Sequence, residues 1–109
     1  MTRPAAEHPA AGAELLAAAE YYESLVPGLG YEFMVSIAEA VRSIEDRPTS
    51  WPPVVGGPRG AEVRSRSARA FPYRVVYVHH RPGATVLTYA HDRRRPGYWS
   101  YRTVGPNDG

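Results

Sequence analysis

The stretch AHDRRRPGYW, residues 90–99, places a histidine, three consecutive arginines and a Tyr-Trp pair directly after an apolar run. Cleavage of RNA through its 2′-hydroxyl needs a base for that hydroxyl, cations for the charge that builds on the phosphate, and an acid for the leaving oxygen. His91 and Tyr98 are the candidate proton-transfer groups, and Arg94 is the candidate phosphate ligand beside them. Tyr98 or Trp99 is the candidate platform for an unpaired base. If the chain is a nuclease, its predicted catalytic residues are therefore His91, Arg94 and Tyr98.

Further arginines lie on the strands that precede this stretch. Arg64 and Arg66 share one side of a predicted strand, and Arg74 lies on the neighbouring strand. A guanidinium binds phosphate through paired, forked donors and stays charged at physiological pH. The predicted target- or phosphate-binding residues are Arg64, Arg66, Arg74, Arg93, Arg94, Arg95 and Trp99. In a protein that only binds its target, the same arginines act as interface anchors without chemistry.

The composition excludes several classes of protein. The 109 residues include no cysteine, so disulfides and cysteine-based zinc sites are excluded. The four histidines are not spaced as a ligand set with acidic residues between them, so we expect no metal and no cofactor. The N-terminal segment lacks the apolar core of a signal peptide, and no apolar run approaches the roughly 20 residues that span a bilayer. We therefore expect a cytoplasmic protein without a membrane partner, folded as a single domain over residues 1–109.

The charge is distributed unevenly along the chain. Residues 1–50 hold three arginines and eight acidic residues, a net charge of −5, whereas residues 51–109 hold ten arginines and three acidic residues, a net charge of +7. A basic half within a small domain indicates a surface for an anionic partner, either nucleic acid or an acidic protein segment. All thirteen basic residues are arginine, which is also typical of a genome-wide coding bias, so part of the arginine content need not be functional.

Two segments have apolar residues at helical spacing, and the short PGLG turn between them predicts an antiparallel hairpin of helices. The first helix is predicted over residues 9–26, with Pro9 in its first turn and an apolar stripe of Leu15, Ala19, Tyr22 and Val26. The second is predicted over residues 30–47, with a stripe of Phe33, Ile37, Ala40, Val41 and Ile44. It ends before Pro48, because the residue before a proline avoids the helical region.

After the irregular segment 48–60, which is rich in proline and glycine, the apolar period changes from 3.6 to 2. AEVRSRSA, FPYRVVYVHH and ATVLTYAH predict three antiparallel strands within residues 61–91, and RPG at 81–83 joins the last two. RPAAEH, before the first helix, is a candidate fourth strand. Residues 103–109 are predicted to be a frayed tail.

These elements predict a two-layer α+β fold, in which the N-terminal αα-hairpin packs on a three- to four-stranded antiparallel sheet. The helices bury their stripes on one sheet face, and we expect the other face to stay open. Arg64, Arg66 and Arg74 are then expected to form a basic surface on the open face. Both sides of the strand over residues 71–80 carry apolar groups, so the sequence leaves open which side is buried.

Four motifs, in this order and spacing, resemble the RelE/ParE superfamily of type II toxin–antitoxin toxins. They are AGAELLAAAEYYESLVPGLGYEF, RPTSWP, FPYRVVYV and AHDRRRPGYW, and the similarity covers roughly residues 7–102. The resemblance implies a RelE/ParE-like fold and a growth-inhibiting toxin, encoded beside a cognate antitoxin that wraps and neutralises it. We expect the antitoxin to present an acidic segment that folds on binding, as a helix in a groove or as an added strand.

The superfamily has two branches with different targets. RelE-like proteins are similar to ribosome-dependent endoribonucleases that cut mRNA, whereas ParE-like proteins poison DNA gyrase without known hydrolytic residues. RelE-like nucleases often carry lysines where Arg64 and Arg66 stand here, and arginine is a poor proton-transfer group. The resemblance therefore favours a gyrase-directed toxin. The alternatives are a ribosome-dependent mRNA endoribonuclease and a non-toxic nucleic-acid-binding relative.

Overall fold

The computed structural model describes residues 3–54, 61–80, 83–94, 97–99 and 102. The predicted tail 103–109 and Arg95 lie outside these residues. Along the described residues the chain forms two helices and four strands. In chain order these are β1 (Ala6–Glu7), α1 (Pro9–Leu25), α2 (Leu29–Asp46), β2 (Val63–Ser67), β3 (Tyr73–His80) and β4 (Gly83–His91).

The two helices begin and end within one residue of their predicted bounds. Pro9 occupies the first turn of α1, where its missing N–H costs nothing, and Nδ1 of His8 accepts a hydrogen bond from the Ala10 N–H at 3.1 Å. In the part of the chain that the structure describes, neither helix is long and apolar enough to cross a membrane.

Two glycines and one glutamate form the tight turn between the helices. Gly28 has a φ of +88°, in the left-handed region that favours glycine. The Glu23 carboxylate accepts hydrogen bonds from the N–H groups of Gly28 at 2.9 Å and Gly30 at 3.0 Å, so it satisfies free donors at the start of α2. Gly30 is buried against α1, and a Cβ on it would lie 2.7 Å from the backbone oxygen of Ala19. The two helices therefore approach each other closely at this glycine.

We expect Gly30→Ala to lower the free energy of unfolding by about 1–3 kcal/mol, because backbone must move to admit the methyl group. Gly12→Ala on α1 is the matched control. The Cβ added by Gly12→Ala meets the movable end of the Glu7 side chain. We therefore expect this substitution to raise the free energy of unfolding by between zero and about 1 kcal/mol. Urea unfolding of both variants measures the difference, and equal stability of Gly30→Ala and wild type would contradict the close approach.

The strands form one sheet in the order β1-β4-β3-β2. β2, β3 and β4 are antiparallel neighbours, as predicted, but β1 runs parallel to β4, with Ala6 beside Thr85 and Glu7 beside Val86. The sheet is therefore mixed rather than wholly antiparallel. The physical reason is that β1 and β4 are not joined by a tight turn: the hairpin of helices carries the chain from β1 to β2 at the opposite edge, and β4 reaches β1 only after β3.

The helices cover one side of the sheet, which we call the helix-packed face. Phe33, with no exposed surface, meets the rings of Tyr22, Phe71 and Tyr73 at centroid distances of 5.0 to 5.3 Å. Offset and edge-on contacts of this kind add to the free energy of burying the rings. The other buried side chains of this core include Ile37, Ile44, Val75, Tyr77, Val86 and Tyr89.

The opposite side, which we call the second face, has a core of its own, so the expectation that it stays open is wrong over this area. The buried side chains there are Val63, Val76, Leu87, Ala90 and Trp99. Val75 and Tyr77 of β3 belong to the first core and Val76 to the second, so this strand is buried on both sides. β4 contains a β-bulge: Val76 pairs with Thr88 and Tyr77 pairs with Val86, which leaves Leu87 as an extra residue in β4.

Candidate functional site

The residues of the AHDRRRPGYW stretch surround a cleft of about 230 Å³ at the end of β4, which we call the strand-end cleft. Four of the predicted site residues with accessible side chains line it together: Arg74, His91, Arg94 and Tyr98. Apolar groups of Val54, Val76, Ala90 and Trp99 form the rest of its wall, with Asp92 at its edge. The tertiary structure therefore brings the predicted proton-transfer groups and two predicted phosphate ligands to one place.

Two further clefts continue from the strand-end cleft. The first, of about 370 Å³, lies against Trp51 and shares Arg74 and Val54 with the strand-end cleft. The second, of about 480 Å³, lies beside α2 and shares Arg66 and Ser67 with the Trp51 cleft. The three clefts thus form a row that passes around the Ser67 end of β2. Four arginines line the row, and we call them the arginine track: Arg69, Arg66, Arg74 and Arg94.

Two members of the arginine track lie over aromatic rings. The guanidinium carbon of Arg66 lies 4.1 Å from the centre of the Trp51 ring, and that of Arg94 lies 4.0 Å from the centre of the Tyr98 ring. Nε of Arg66 is buried and has no hydrogen-bond partner among the described residues. Stacking restrains a guanidinium without neutralising its charge, so both groups are positioned to meet an anion.

Arg74 has a weak ion pair. Its Nε lies 3.4 Å from Oδ1 of Asp92, and both side chains are nearly half exposed. Its Nη1 lies 3.4 Å from the Ser65 hydroxyl. Exposed pairs at such distances contribute little free energy, so an incoming phosphate can displace Asp92 at low cost.

The ring of His91 is oriented by the backbone. Nδ1 accepts a hydrogen bond from the Arg93 N–H at 3.0 Å, and the ring meets that of Tyr73 edge-on with centroids 5.2 Å apart. A neutral imidazole whose Nδ1 accepts a hydrogen bond carries its proton on Nε2. In this geometry His91 is a hydrogen-bond donor at Nε2 and not a base.

Tyr98 is connected to a partly buried acidic group. Its hydroxyl lies 2.7 Å from Oγ1 of Thr88, which lies 2.8 Å from Oε1 of Glu14. Nη1 and Nη2 of Arg102 donate to the two carboxylate oxygens of Glu14 at 2.9 and 3.0 Å, and Nη1 also donates to the Leu87 carbonyl. Burial acts to raise the pKa of Glu14, but the hydrogen bonds from Arg102 and Thr88 outweigh it and lower the pKa below its ordinary value. Glu14 is therefore an ionised acceptor.

The structure corrects the placement of several predicted site residues. Arg64 and Arg66 pair across the sheet with Tyr77 and Val75, so both lie on the helix-packed side, whereas Arg74 pairs with Ala90 on the second face. The expected common basic face is therefore wrong, because the register of β2 against β3 assigns the arginines to opposite sides.

Three further residues of the predicted set do not have the binding role expected of them. Arg64 donates to the Trp51 carbonyl at 2.7 Å and to Glu62 at 3.0 Å, which makes it a structural group. Trp99 is only 3% exposed and closes the core of the second face, so its ring is not free to stack on a base. Arg93 is exposed but lines none of the clefts described above. Arg95 lies outside the described residues.

Sequence reasoning missed five residues that the site contains: Glu14, Trp51, Arg69, Thr88 and Arg102. Arg69 extends the RSRSAR run and was open to detection by that charge pattern. Glu14 and Arg102 are 88 residues apart, and no local pattern signals that they pair. Among the described residues, no three acidic or histidine side chains are grouped to hold a metal ion.

A scan of the chain against protein-family models finds no match, and a search of curated proteins finds no significant match. The features of the described residues that bear on function are therefore the α+β architecture, with two helices on a four-stranded mixed sheet, and the arginine track. The class that these features define is a small α+β protein with a row of clefts lined by arginines.

Proposed function

We propose that this protein is a toxin of the RelE/ParE type that binds a single RNA strand along the arginine track and cleaves it in the strand-end cleft. The observation that carries the proposal is the continuity of the three clefts, which share Arg66 and Arg74 and so place four guanidinium groups in one row. Proteins that bind single strands combine a positive groove along the backbone with flat groups on which bases stack. The exposed faces of the stacked arginines supply both properties.

The chemistry that suits the strand-end cleft is transfer of the RNA phosphate to its own 2′-hydroxyl. Arg74 and Arg94 stabilise the charge that develops on the phosphate. The Tyr98 hydroxyl takes the proton of the attacking 2′-hydroxyl, and Nε2–H of His91 donates a hydrogen bond to the leaving 5′-oxygen, which takes its proton from water. The P–O5′ bond breaks as the new bond to O2′ forms, which leaves a 2′,3′-cyclic phosphate and a 5′-hydroxyl. This assignment gives the catalytic roles to His91, Arg94 and Tyr98.

The αα-hairpin is the surface that we assign to the cognate antitoxin. Seven large apolar side chains on or beside the two helices are exposed by 39 to 74%: Leu16, Tyr21, Leu25, Val26, Tyr31, Met34 and Val35. A patch of this kind marks a protein–protein contact, and an amphipathic segment that folds on binding is a partner that covers it. This surface does not include the arginine track, so the antitoxin can hold the toxin through apolar burial and reach the arginines with acidic residues.

Primer extension on a defined mRNA, with and without translating ribosomes, tests the proposal. We expect new 5′ ends in the presence of purified protein, and their dependence on ribosomes identifies the decoding site as the place of cleavage. Poisoning of DNA gyrase, which the sequence favours, predicts a different result. An intact message, from protein that still stops growth and causes gyrase to accumulate cleaved DNA, would overturn the nuclease proposal and reassign the arginines to a gyrase interface.

A further inference from the structure

Three side chains from separate parts of the chain form a hydrogen-bonded line that leads from the strand-end cleft to an ionised carboxylate. Tyr98 lines the cleft, Thr88 on β4 has no exposed surface, and Glu14 on α1 ends the line. Arg102 occupies both oxygens of Glu14 from the other side. Of the three side chains in this line, the proposed chemistry uses only Tyr98, and it gives Thr88 and Glu14 no role.

The directions of these hydrogen bonds follow from the number of protons available. An ionised carboxylate only accepts hydrogen bonds, so the single hydroxyl proton of Thr88 is donated to Glu14. The oxygen of Thr88 must then accept from Tyr98, whose own proton points away from the cleft. The phenol oxygen of Tyr98 is left as an acceptor for a donor in the cleft.

The β-bulge in β4 is what places Thr88 in this line. Thr88 pairs with Val76 and shares its side of the sheet, the second face, because Leu87 is an extra residue in the strand. With regular pairing and no bulge, Leu87 would pair with Val76 and Thr88 with Val75, so Thr88 would point to the helix-packed face, away from Tyr98. Bulges that redirect a side chain are found beside active sites.

We propose that Glu14 and Thr88 are positioning residues that relay a proton away from Tyr98 during RNA cleavage, an inference that depends on the proposed function. Tyr98 takes the proton of the 2′-hydroxyl on its phenol oxygen and gives its own proton to Thr88. Thr88 gives its proton to Glu14, which becomes neutral. The relay returns to its starting state when Glu14 releases that proton to water and the two hydroxyl groups rotate back. Tyr98 and Thr88 each receive one proton as they give one up, so both stay neutral and only Glu14 changes its charge.

Single-turnover cleavage of an RNA that wild type cuts tests the relay. We expect Thr88→Val to lower the cleavage rate constant by about 100-fold, within the range found for proton-transfer groups, with unchanged affinity for RNA. Thr88→Ser restores the hydroxyl and is expected to recover the rate to within about 3-fold, a rescue that loss of packing would not allow. Thr85→Val, on the same strand and bonded to His80 instead, is the matched control and is expected to cut at the wild-type rate.

Glu14→Gln is the second test, because the amide oxygen still accepts from Thr88 but does not take up its proton. We expect a loss of about 100-fold in this variant as well, measured on protein whose circular dichroism matches wild type. Thr88→Val or Glu14→Gln protein that cuts as fast as wild type would overturn the relay and leave the proposed function standing. Wild-type protein that makes no cut, with or without ribosomes, would overturn the proposed function and the relay with it.

Discussion

Arg94→Ala is expected to abolish growth inhibition and to lower RNA cleavage by about 1,000-fold, the upper end of the loss seen when one charge-stabilising donor is removed. Arg94 lines the strand-end cleft and stacks on Tyr98, and its charge has no ion-pair partner among the described residues. Its replacement removes a cation where the phosphate charge develops and also frees the Tyr98 ring to move. Cell growth on induction and single-turnover cleavage of RNA measure the two effects.

Arg93→Ala is the matched control for this prediction. Arg93 is adjacent in sequence, has the same charge and is exposed, but it lines none of the three clefts of the track. We expect nearly wild-type cleavage, with thermal unfolding of both variants unchanged to within about 0.5 kcal/mol. For binding to single-stranded RNA, loss of one phosphate contact in Arg94→Ala reduces the slope of log affinity against log salt by about 0.7. A folded Arg94→Ala protein that remains fully toxic would remove this residue from the mechanism.

Arg102→Ala is expected to lower the free energy of unfolding by about 3 kcal/mol, which is the low end of the range for breaking a buried ion pair. The Arg102 side chain is 7% exposed and bonds both oxygens of Glu14 and the Leu87 carbonyl. Its removal leaves Glu14 charged, mostly buried and without its main partner. The low end applies because Glu14 keeps 22% of its side chain exposed to water.

The stability lost in Arg102→Ala is also expected to depend on pH. Hydrogen bonds from Arg102 and Thr88 lower the pKa of Glu14 in the folded state below its ordinary value of 4.5. The stabilisation that ionised Glu14 contributes through these hydrogen bonds is therefore fully present above that ordinary value, and it is lost as the pH falls through the lowered folded-state pKa. Urea unfolding at several pH values should show wild type losing more stability on acidification than Arg102→Ala. Arg42→Ala, on the exposed side of α2, is the control, and an equally destabilised Arg42→Ala would contradict the assignment.

Arg94→Ala and Arg102→Ala separate the two parts of the site. Arg94 faces the cleft and is exposed, so its loss affects the target and not the fold. Arg102 is buried behind the cleft, so its loss affects the fold first. A gyrase-directed toxin would also lose activity in Arg94→Ala, and the RNA cleavage and gyrase measurements together distinguish the two targets.

The sequence by itself determined the elements of the fold, because the signals involved are local. Apolar spacing, Pro9 and the PGLG turn predicted both helices to within one residue at each end. The change of period after residue 60 predicted the three antiparallel strands, whose backbone preference depends on near neighbours. The sequence also predicted the candidate site residues Arg74, His91, Arg94 and Tyr98, from their chemistry and their position at strand ends.

Only the tertiary structure decided which of the predicted groups face the cleft and which are structural. A shift of one residue in strand register reverses every side chain, so the bulge at Leu87 and the pairing of β2 with β3 assign Thr88, Arg66 and Arg74 to their sides. The sequence did not distinguish Trp99 from Tyr98 as a site residue. Packing buries the Trp99 side chain in the wall of the strand-end cleft and leaves Tyr98 accessible there. The Glu14–Arg102 pair joins residues 88 positions apart, and only close packing of α1 against the edge of β4 brings them within 3 Å. Contacts at that separation depend on the folded chain as a whole, and local sequence carries no signal for them.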